Sequence, residues 1–293
     1  MNNKNNFRCW LCNSRTLVLK RRGISPESLK SNHFTVTDSD YGTSLSIYQC
    51  QACDFLFCPE AQAINSYYAS MTDKPYEESQ EPRRLQAQKL LKTIIHFKRE
   101  GKLLDIGAGI GILVDEGLNK GFDASGIEIC EWFVERAKSK GLPVYSGSFP
   151  GAAVNSQYDI ITLIDVLEHV ENPVQMMTDI SQHLTNEGIA VIVTPDVSSL
   201  AARLLNKKWW HYRVAHLSYF NRKTLRLAAE KSNLEIIKWK RPSWYFSMDY
   251  LLKRLNNYLP FMERLSRLGC FKRWVVPLNL RDSWMIIARK KVI

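Results

Sequence analysis

Residues 103–111, LLDIGAGIG, join a short apolar run to a glycine-rich turn, and an apolar helical stretch, Ile110–Lys120, continues from it. LLDI (103–106), apolar at three of its four positions, suits a short strand covered on both faces. The same alternation recurs downstream. DASGIEI (123–129) reads as a second strand and Glu131–Lys140 as a second helix, and Val144–Ser146, Tyr158–Ile164 and Ile189–Thr194 read as further strands. A helix over Val174–Leu184 lies between the last two and closes at the Asn186-Glu187-Gly188 turn. A helix over Arg222–Ser232, a strand over Leu234–Lys240 and a terminal strand over Trp284–Arg289 complete the pattern. Continuous apolar strands separated by helices predict an α/β fold with a doubly wound sheet. In such sheets the ligand lies at the carboxyl ends of the strands, over the first strand–turn–helix.

The chemistry of that turn narrows the ligand. Glycines at 107, 109 and 111 give GxGxG, preceded by Asp105, where a dinucleotide site wants GxGxxG. Glycine lets the backbone pass close beneath a ligand. An acid at the strand end suits a cationic amine better than a phosphate. Glu128, ending the second strand, is placed to take the two hydroxyls of a ribose.

With LLDIGAGIG, GIEI, YDIITLIDVLEHVENP and LTNEGIAVIVTPD in this order over residues 100–195, the chain resembles the class I S-adenosylmethionine-dependent methyltransferases. The resemblance implies a seven-stranded sheet and S-adenosylmethionine as cofactor. It places Gly107 and Gly109 beneath the methionine part, with Asp105 holding the ammonium through backbone or water. Glu128 would take the ribose, Ile129 one face of adenine, and the Ile164 carbonyl the adenine amine. Many members carry an acid after the third strand; here Ser148 stands there.

Cys9 and Cys12 form one CxxC and Cys50 and Cys53 another, with the strand-like run LSIYQC leading into the second. Two such knuckles supply the four soft ligands of a tetrahedral zinc, and a closed four-cysteine set is structural, not catalytic. Chance spacing is the alternative. Cys58 reads as buried packing, and Cys130 and Cys270 as inert core or helix residues. These knuckles, with Tyr67-Tyr68, resemble a narrower group, bacterial methyltransferases with an N-terminal zinc ribbon from surface-polysaccharide and sugar-modifying gene clusters. That group usually has Gly after the last cysteine, where this chain has Asp54. The expected organisation is a zinc ribbon over 1–65, a linker and leading helix over 66–100, and the methyltransferase domain over 101–293. Leu85, Gln88, Leu91 and Ile95 mark the face of the leading helix.

Methyl transfer from a sulfonium is an in-line displacement, so alignment supplies most of the catalysis, and a base is needed only when the acceptor must lose a proton. Glu168 and His169 stand just past the fourth strand, where the acceptor belongs. His169 is either the base, oriented by its neighbour, or a packed ring; Asp165 is the other acid nearby. The stretch from Lys207 to Leu225 concentrates Trp209, Trp210, His211, Tyr212, Arg213, His216 and Tyr219 ahead of a helix capped around Asn221. It reads either as an acceptor pocket, with His211, Arg213, His216 and Tyr219 touching substrate, or as an aromatic minicore.

The 293 residues carry a formal charge of +11, with 45% hydrophobic content, 14 Gly and 11 Pro, which excludes a disordered or collagenous chain. The charge is localised. Residues 200–293 hold 21 basic and 5 acidic side chains and six of the eight Trp, whereas residues 1–199 are net acidic. Such a region should meet something anionic. Leu251, Leu255, Tyr258, Met262 and Leu265 outline an apolar helical face, divided at Pro260, within an insertion over about 242–280. It is either a docked helical pair or a contact with an anionic membrane surface. The expected acceptor is a sugar or glycan, nucleotide- or lipid-linked. RNA, a quinone-type small molecule and a non-catalytic cofactor-binding scaffold are the alternatives. With no membrane span and no secretory leader legible, and with reduced thiols, the expected location is cytoplasmic, or peripheral at the inner face of the membrane.

Overall fold

A computed structural model describes residues 7–37, 41–61, 65–78, 80–151, 154, 156–255 and 274–291. The chain opens with β1 (Leu17–Arg21), β2 (Ile47–Cys50) and β3 (Leu56–Phe57), then α1 (Asn65–Ala69), α2 (Lys74–Glu78) and α3 (Gln80–Ile94). The α/β body follows: β4 (Lys102–Ile106), α4 (Ile112–Asn119), β5 (Asp123–Glu128), α5 (Glu131–Lys138), β6 (Val144–Ser146), β7 (Tyr158–Ile164), α6 (Pro173–His183) and β8 (Leu184–Pro195). After it come α7 (Leu200–Leu205), β9 (Ser218–Tyr219), α8 (Arg222–Lys231), β10 (Leu234–Lys240), β11 (Trp244–Ser247), α9 (Met248–Leu255), β12 (Val275–Leu278) and β13 (Ser283–Lys290).

Seven strands form the main sheet in the order β10-β13-β8-β7-β4-β5-β6. β13 runs antiparallel to both neighbours, and the other pairings are parallel. Leu103, Ile160, Val191 and Ile287 enter one hydrophobic core, while Leu104, Ile161, Ile192 and Ile286 enter the other. Successive strand residues point to opposite faces, so unbroken apolar runs feed two cores at once. From β4 the chain winds outward through β5 and β6, then returns to β7 on the other side of β4. The crevice at the β4 carboxyl end, between these two directions of winding, is where such sheets take ligands.

Local chemistry sets the helix starts. Gly111 has φ 80°, outside the helical region, so α4 begins at Ile112 and not at Ile110. Pro173 occupies the first turn of α6, and the Asn172 side chain accepts from Gln175 N. Asn221 caps α8 in a reciprocal box with Thr224, at 2.9 Å in each direction.

Three expectations are corrected. Asn186-Glu187-Gly188 is not a turn: β8 begins at Leu184 directly after α6, and its pairing shifts register between Tyr158 and Ile160. A Cβ at Gly188 would lie 2.9 Å from Tyr158 O, so the glycine permits a close strand approach. The buried face of α3 is Pro82, Ala87, Leu91 and Ile94, which shares Leu91 with the expected stripe and has Ala87 and Ile94 where Gln88 and Ile95 were expected. The insertion is not purely helical: β11 pairs antiparallel with β12 beside α9, which carries Leu251 and Leu255. Tyr258, Pro260, Met262, Leu265 and Cys270 lie outside the described residues.

The N-terminal stretch builds a second sheet, β1-β2-β3-β9, whose last strand comes from far along the chain. Leu56 pairs with Tyr219 and Phe57 with Ser218. The Phe55 ring lies 5.5 Å from Phe57 and 5.2 Å from Phe220, an aromatic seam within the second sheet, and a bridge from Phe220 to Asp196, just past β8, fastens that sheet to the main one. No helix among the described residues is long and apolar enough to cross a membrane.

Candidate functional site

A cavity of about 1370 Å³ opens over the carboxyl ends of β4, β5 and β7. At one end its wall contains Asp105, Gly107, Gly109, Glu128, Ile129, Ser148 and Ile164, all seven residues expected around a cofactor. Gly107 and Gly109 have φ of 74° and 55°, which L side chains rarely adopt. A Cβ at Gly107 would stand 2.4 Å from Val166 Cγ2, and one at Gly109 2.8 Å from the Tyr76 hydroxyl. Gly107 N donates to Ile127 O at 2.9 Å, holding the turn against β5.

Both acids here are buried. Glu128 accepts from Gly109 N and from Cys130 N, each at 2.8 Å, so its carboxylate ties the glycine turn to the start of α5. Burial raises its pKa, and these backbone donors pull it down. Asp105 accepts from Thr162 Oγ1 at 2.6 Å. Burial raises its pKa to about 7, with the Thr162 hydrogen bond opposing and the Glu128 charge adding to the rise. An ionised carboxyl in such a place favours a cationic partner.

Glu168, His169, His211, Arg213 and His216 stand further along the same cavity. His169 Nδ1 lies 2.8 Å from Ala215 O and 2.6 Å from the Tyr68 hydroxyl. A carbonyl can only accept, so Nδ1 carries the hydrogen. Burial pushes the His169 pKa down to about 4, against the pull of the Ala215 and Asp165 backbone, so the ring is neutral. Glu168 accepts from Thr194 Oγ1 at 3.0 Å, and burial, with the Asp165 charge, raises its pKa well above the usual range. The His216 ring packs 4.8 Å from His169 and 5.6 Å from His211. His211 faces Asp282, Nε2 to Oδ2 3.4 Å, and Trp210 Nε1 donates to the same oxygen at 3.0 Å. Arg213 donates to Thr35 O at 2.7 Å and Val36 O at 3.2 Å, so the N-terminal stretch holds it in place.

Tyr219 is the exception among the expected substrate residues. It is buried in β9, pairs with Leu56, and does not line the cavity. Side chains of the 207–225 stretch divide between two surroundings. Trp209, fully buried, packs on Tyr212 as a minicore, while Trp210, His211, Arg213 and His216 face the cavity.

Sequence reasoning named Tyr68 only as part of a resemblance and missed Tyr76 and Arg83; all three enter the cavity from the stretch read as linker and leading helix. The Arg83 guanidinium sits 3.8 Å over the Tyr76 ring, which itself packs on Phe133 at 4.8 Å. Buried Asp73 accepts from Thr37 N and Oγ1 and from Tyr76 N, tying this cover to the N-terminal stretch. Tyrosines recurring in an otherwise polar segment were the available signal. A further wall is apolar and aromatic, with Trp244, Tyr245, Phe246, Leu251, Val276 and Leu278.

The sulfurs of Cys9, Cys12, Cys50 and Cys53 lie within 4.8 Å of one another, with Cys9–Cys53 at 3.5 Å and Cys12–Cys50 at 3.4 Å. Tetrahedral zinc–thiolate bonds of ~2.3 Å place sulfurs ~3.8 Å apart, so the set fits that ion. Asn13 and Asp54 follow the two knuckles with φ of 62° and 67°. The positive φ at Asp54 accounts for the glycine usual there, and Asp and Asn tolerate it better than most residues.

A family model described as a methyltransferase domain matches residues 78–238. The ubiquinone biosynthesis O-methyltransferase of Rickettsia canadensis is 30% identical over 111 residues, 35% of this chain and 47% of that protein. Its mitochondrial counterpart from Schizosaccharomyces pombe is 30% identical over 113 residues, 36% of this chain and 41% of that protein. The chain thus spans less than half the length of these relatives. Among solved structures, a SAM-dependent methyltransferase from Archaeoglobus fulgidus superposes with a TM-score of 0.51 at 18% identity, covering 71% of this chain and 94% of that one. Magnesium protoporphyrin IX methyltransferase from Synechocystis, with bound SAH, gives 0.50 at 12% identity, covering 76% and 90%. Both show the same fold.

Proposed function

The chain belongs to the methyltransferase-domain family, whose model spans residues 78–238, and we propose that it is an S-adenosylmethionine-dependent methyltransferase that methylates a hydroxyl group on a lipid-linked acceptor. When bound, S-adenosylmethionine supplies an electrophilic methyl group on a sulfonium. Gly107 and Gly109 would lie beneath its amino-acid part, Glu128 would accept from its ribose hydroxyls, and Asp105 would balance its positive charge. Ile129, Ser148 and the Ile164 carbonyl would frame the base. Glu168, His169 and His216 form the polar corner that would receive the acceptor hydroxyl. His169 is neutral there, so its ring can take up a proton.

One observation carries this reading. A single cavity runs from Asp105 and Glu128, past Glu168 and His169, to the apolar wall of Trp244, Phe246 and Leu251. Apolar walls with a few convergent polar groups suit an acceptor with a reactive head and an apolar body. The names of the relatives, ubiquinone biosynthesis O-methyltransferases, favour a quinone-type head, and the resemblance carried by the cysteine knuckles favours a sugar head. The test uses methyl-labelled S-adenosylmethionine with a farnesylated catechol, a polyprenyl-linked sugar and a nucleotide sugar. Label should enter one of the lipid-linked acceptors at least about tenfold faster than the nucleotide sugar, as expected when apolar burial adds more than ~1.4 kcal/mol. A preference for the nucleotide sugar overturns the lipid-linked reading.

We also read the four cysteines as a structural zinc site that braces the β1-β2-β3 sheet, with no open position for chemistry.

Cofactor affinity should depend on pH through Asp105. Its pKa near 7 in the free protein means that it is increasingly protonated below pH 7, and the protonated form cannot balance a cation. S-adenosylmethionine affinity measured by calorimetry should be flat above pH 8 and fall up to about tenfold per unit below pH 7. In Asp105→Asn the slope should disappear and the affinity should stay low throughout.

A further inference from the structure

At the acceptor end of the cavity, Glu168, His169 and His216 each bring one ligand atom to within 4.8 Å of the others. Glu168 is 1% exposed; its Oε2 is engaged by Thr194, and its Oε1 has no hydrogen-bond partner among the described residues. His216 is 4% exposed, and its Nδ1 also has no partner there. A carboxylate oxygen and an imidazole nitrogen can each present a lone pair to a cation. No hydrogen bond joins these two atoms, so neither satisfies the other. Buried polar groups are nearly always paired, so something that attracts lone pairs belongs between them.

The surroundings are built as a metal's surroundings are. The Ala215 carbonyl takes the Nδ1 hydrogen of His169, and Thr194 Oγ1 steadies the carboxylate of Glu168. Metal-ligating imidazoles and carboxylates are oriented by such outer partners. The two contributing segments are stitched together, since Leu217 N donates to Glu168 O at 2.8 Å. All three residues line the cavity, so a bound ion would keep open positions toward it.

We propose that Glu168, His169 and His216 form a two-imidazole, one-carboxylate site for a divalent transition-metal ion that binds the acceptor's hydroxyl oxygen. Two imidazoles select manganese, iron or zinc over magnesium or calcium, and three protein ligands with open positions mark a catalytic site, unlike the closed four-cysteine set. The proposal rests on the hydroxyl-methylation reading and gives its proton a different route. The cation lowers the hydroxyl pKa, and the proton leaves to solvent in the cavity. An oxygen lone pair then forms the O–C bond to the methyl group as the C–S bond breaks. The electron pair of that bond stays on sulfur, which becomes neutral. His169 acts here as a ligand and need not take the proton.

Manganese(II) tests the site, because cysteine thiolates prefer zinc whereas carboxylate and imidazole accept manganese. The full chain, with zinc in its cysteine site, is titrated with Mn(II) and followed by electron paramagnetic resonance and calorimetry. One Mn(II) per chain should bind with a dissociation constant below about 100 µM. Glu168→Gln and His216→Gln should each weaken it at least about tenfold, with S-adenosylmethionine affinity unchanged. Absence of Mn(II) binding by the unaltered protein overturns the site, whether or not the variants fold. Full-rate methylation by protein shown to carry only one zinc overturns it too, and leaves hydroxyl methylation standing. Mn(II) binding with no methyl transfer to any hydroxyl acceptor supports the metal site and removes the acceptor reading.

Discussion

Replacing Glu128 with alanine should raise the dissociation constant for S-adenosylmethionine at least about a hundredfold, the largest effect of any single change at the cofactor end. The ribose presents two neighbouring hydroxyls, and hydrogen bonds to a charged acceptor contribute ~1.5–3 kcal/mol each, so losing both costs ~3–6 kcal/mol. Glu128 also organises what surrounds it. Its two oxygens take Gly109 N and Cys130 N, so alanine frees the glycine turn from α5 and leaves two buried donors without partners. Glutamine is the informative comparison. It keeps one acceptor oxygen but turns an NH₂ toward a backbone N–H, so its affinity should fall between wild type and alanine. Calorimetry gives the affinities, and thermal melting separates lost binding from lost folding. Alanine binding within threefold of wild type would remove Glu128 from the cofactor site.

Cys50→Ser, or removal of zinc by a chelator, should act at the opposite end of the cavity. Structural zinc contributes ~10–16 kcal/mol of apparent binding free energy in small cysteine-ligated units, and that free energy is folding free energy. The β1-β2-β3 sheet is too small to hold itself without such a brace. Its loss should loosen everything fastened to it: β9, through Leu56–Tyr219 and Phe57–Ser218, and Arg213, through Thr35 and Val36. Methyl transfer should therefore fall by at least about a hundredfold, since small displacements at a reacting centre are that costly. S-adenosylmethionine affinity should change less than about fivefold, because Asp105 and Glu128 are carried by β4 and β5. Hydrogen exchange should accelerate in residues 9–57 and 209–219. Equal losses at both ends of the cavity, or at neither, would contradict this division.

What the sequence made legible follows from burial. Strands covered on both faces need apolar side chains at most positions, and central β7 begins and ends at the residues expected of it; β6 and β10, the exposed edge strands of the sheet, keep their expected bounds as well. The glycine turn was legible because positive φ and close approach leave no other residue type, and the cysteine cluster because two CxxC pairs bring their four sulfurs together. Other features carry no such constraint. Asn186-Glu187-Gly188 has turn composition, yet Gly188 serves a strand that bulges past Tyr158. Tyr219 was misplaced because aromatic density is the same in a pocket wall and in a minicore; only its pairing with Leu56 decides. Tyr76 sits on the five-residue α2 and Arg83 in the first turn of α3, and both meet partners distant in the chain, so their approach to the glycine turn leaves no local pattern.

The late arrival of β9 has a consequence for synthesis. The edge of β3 is completed by residues made roughly 160 positions later, about 8–30 s at ordinary ribosomal rates. Throughout that interval the first fifty-odd residues can gather their metal but not finish their sheet, and Leu56–Phe57 remains an open edge able to pair with another nascent chain. The N-terminal unit is therefore no portable module: cut free or grafted elsewhere it keeps its sticky edge, and inside this protein it closes only once the ribosome has passed Tyr219.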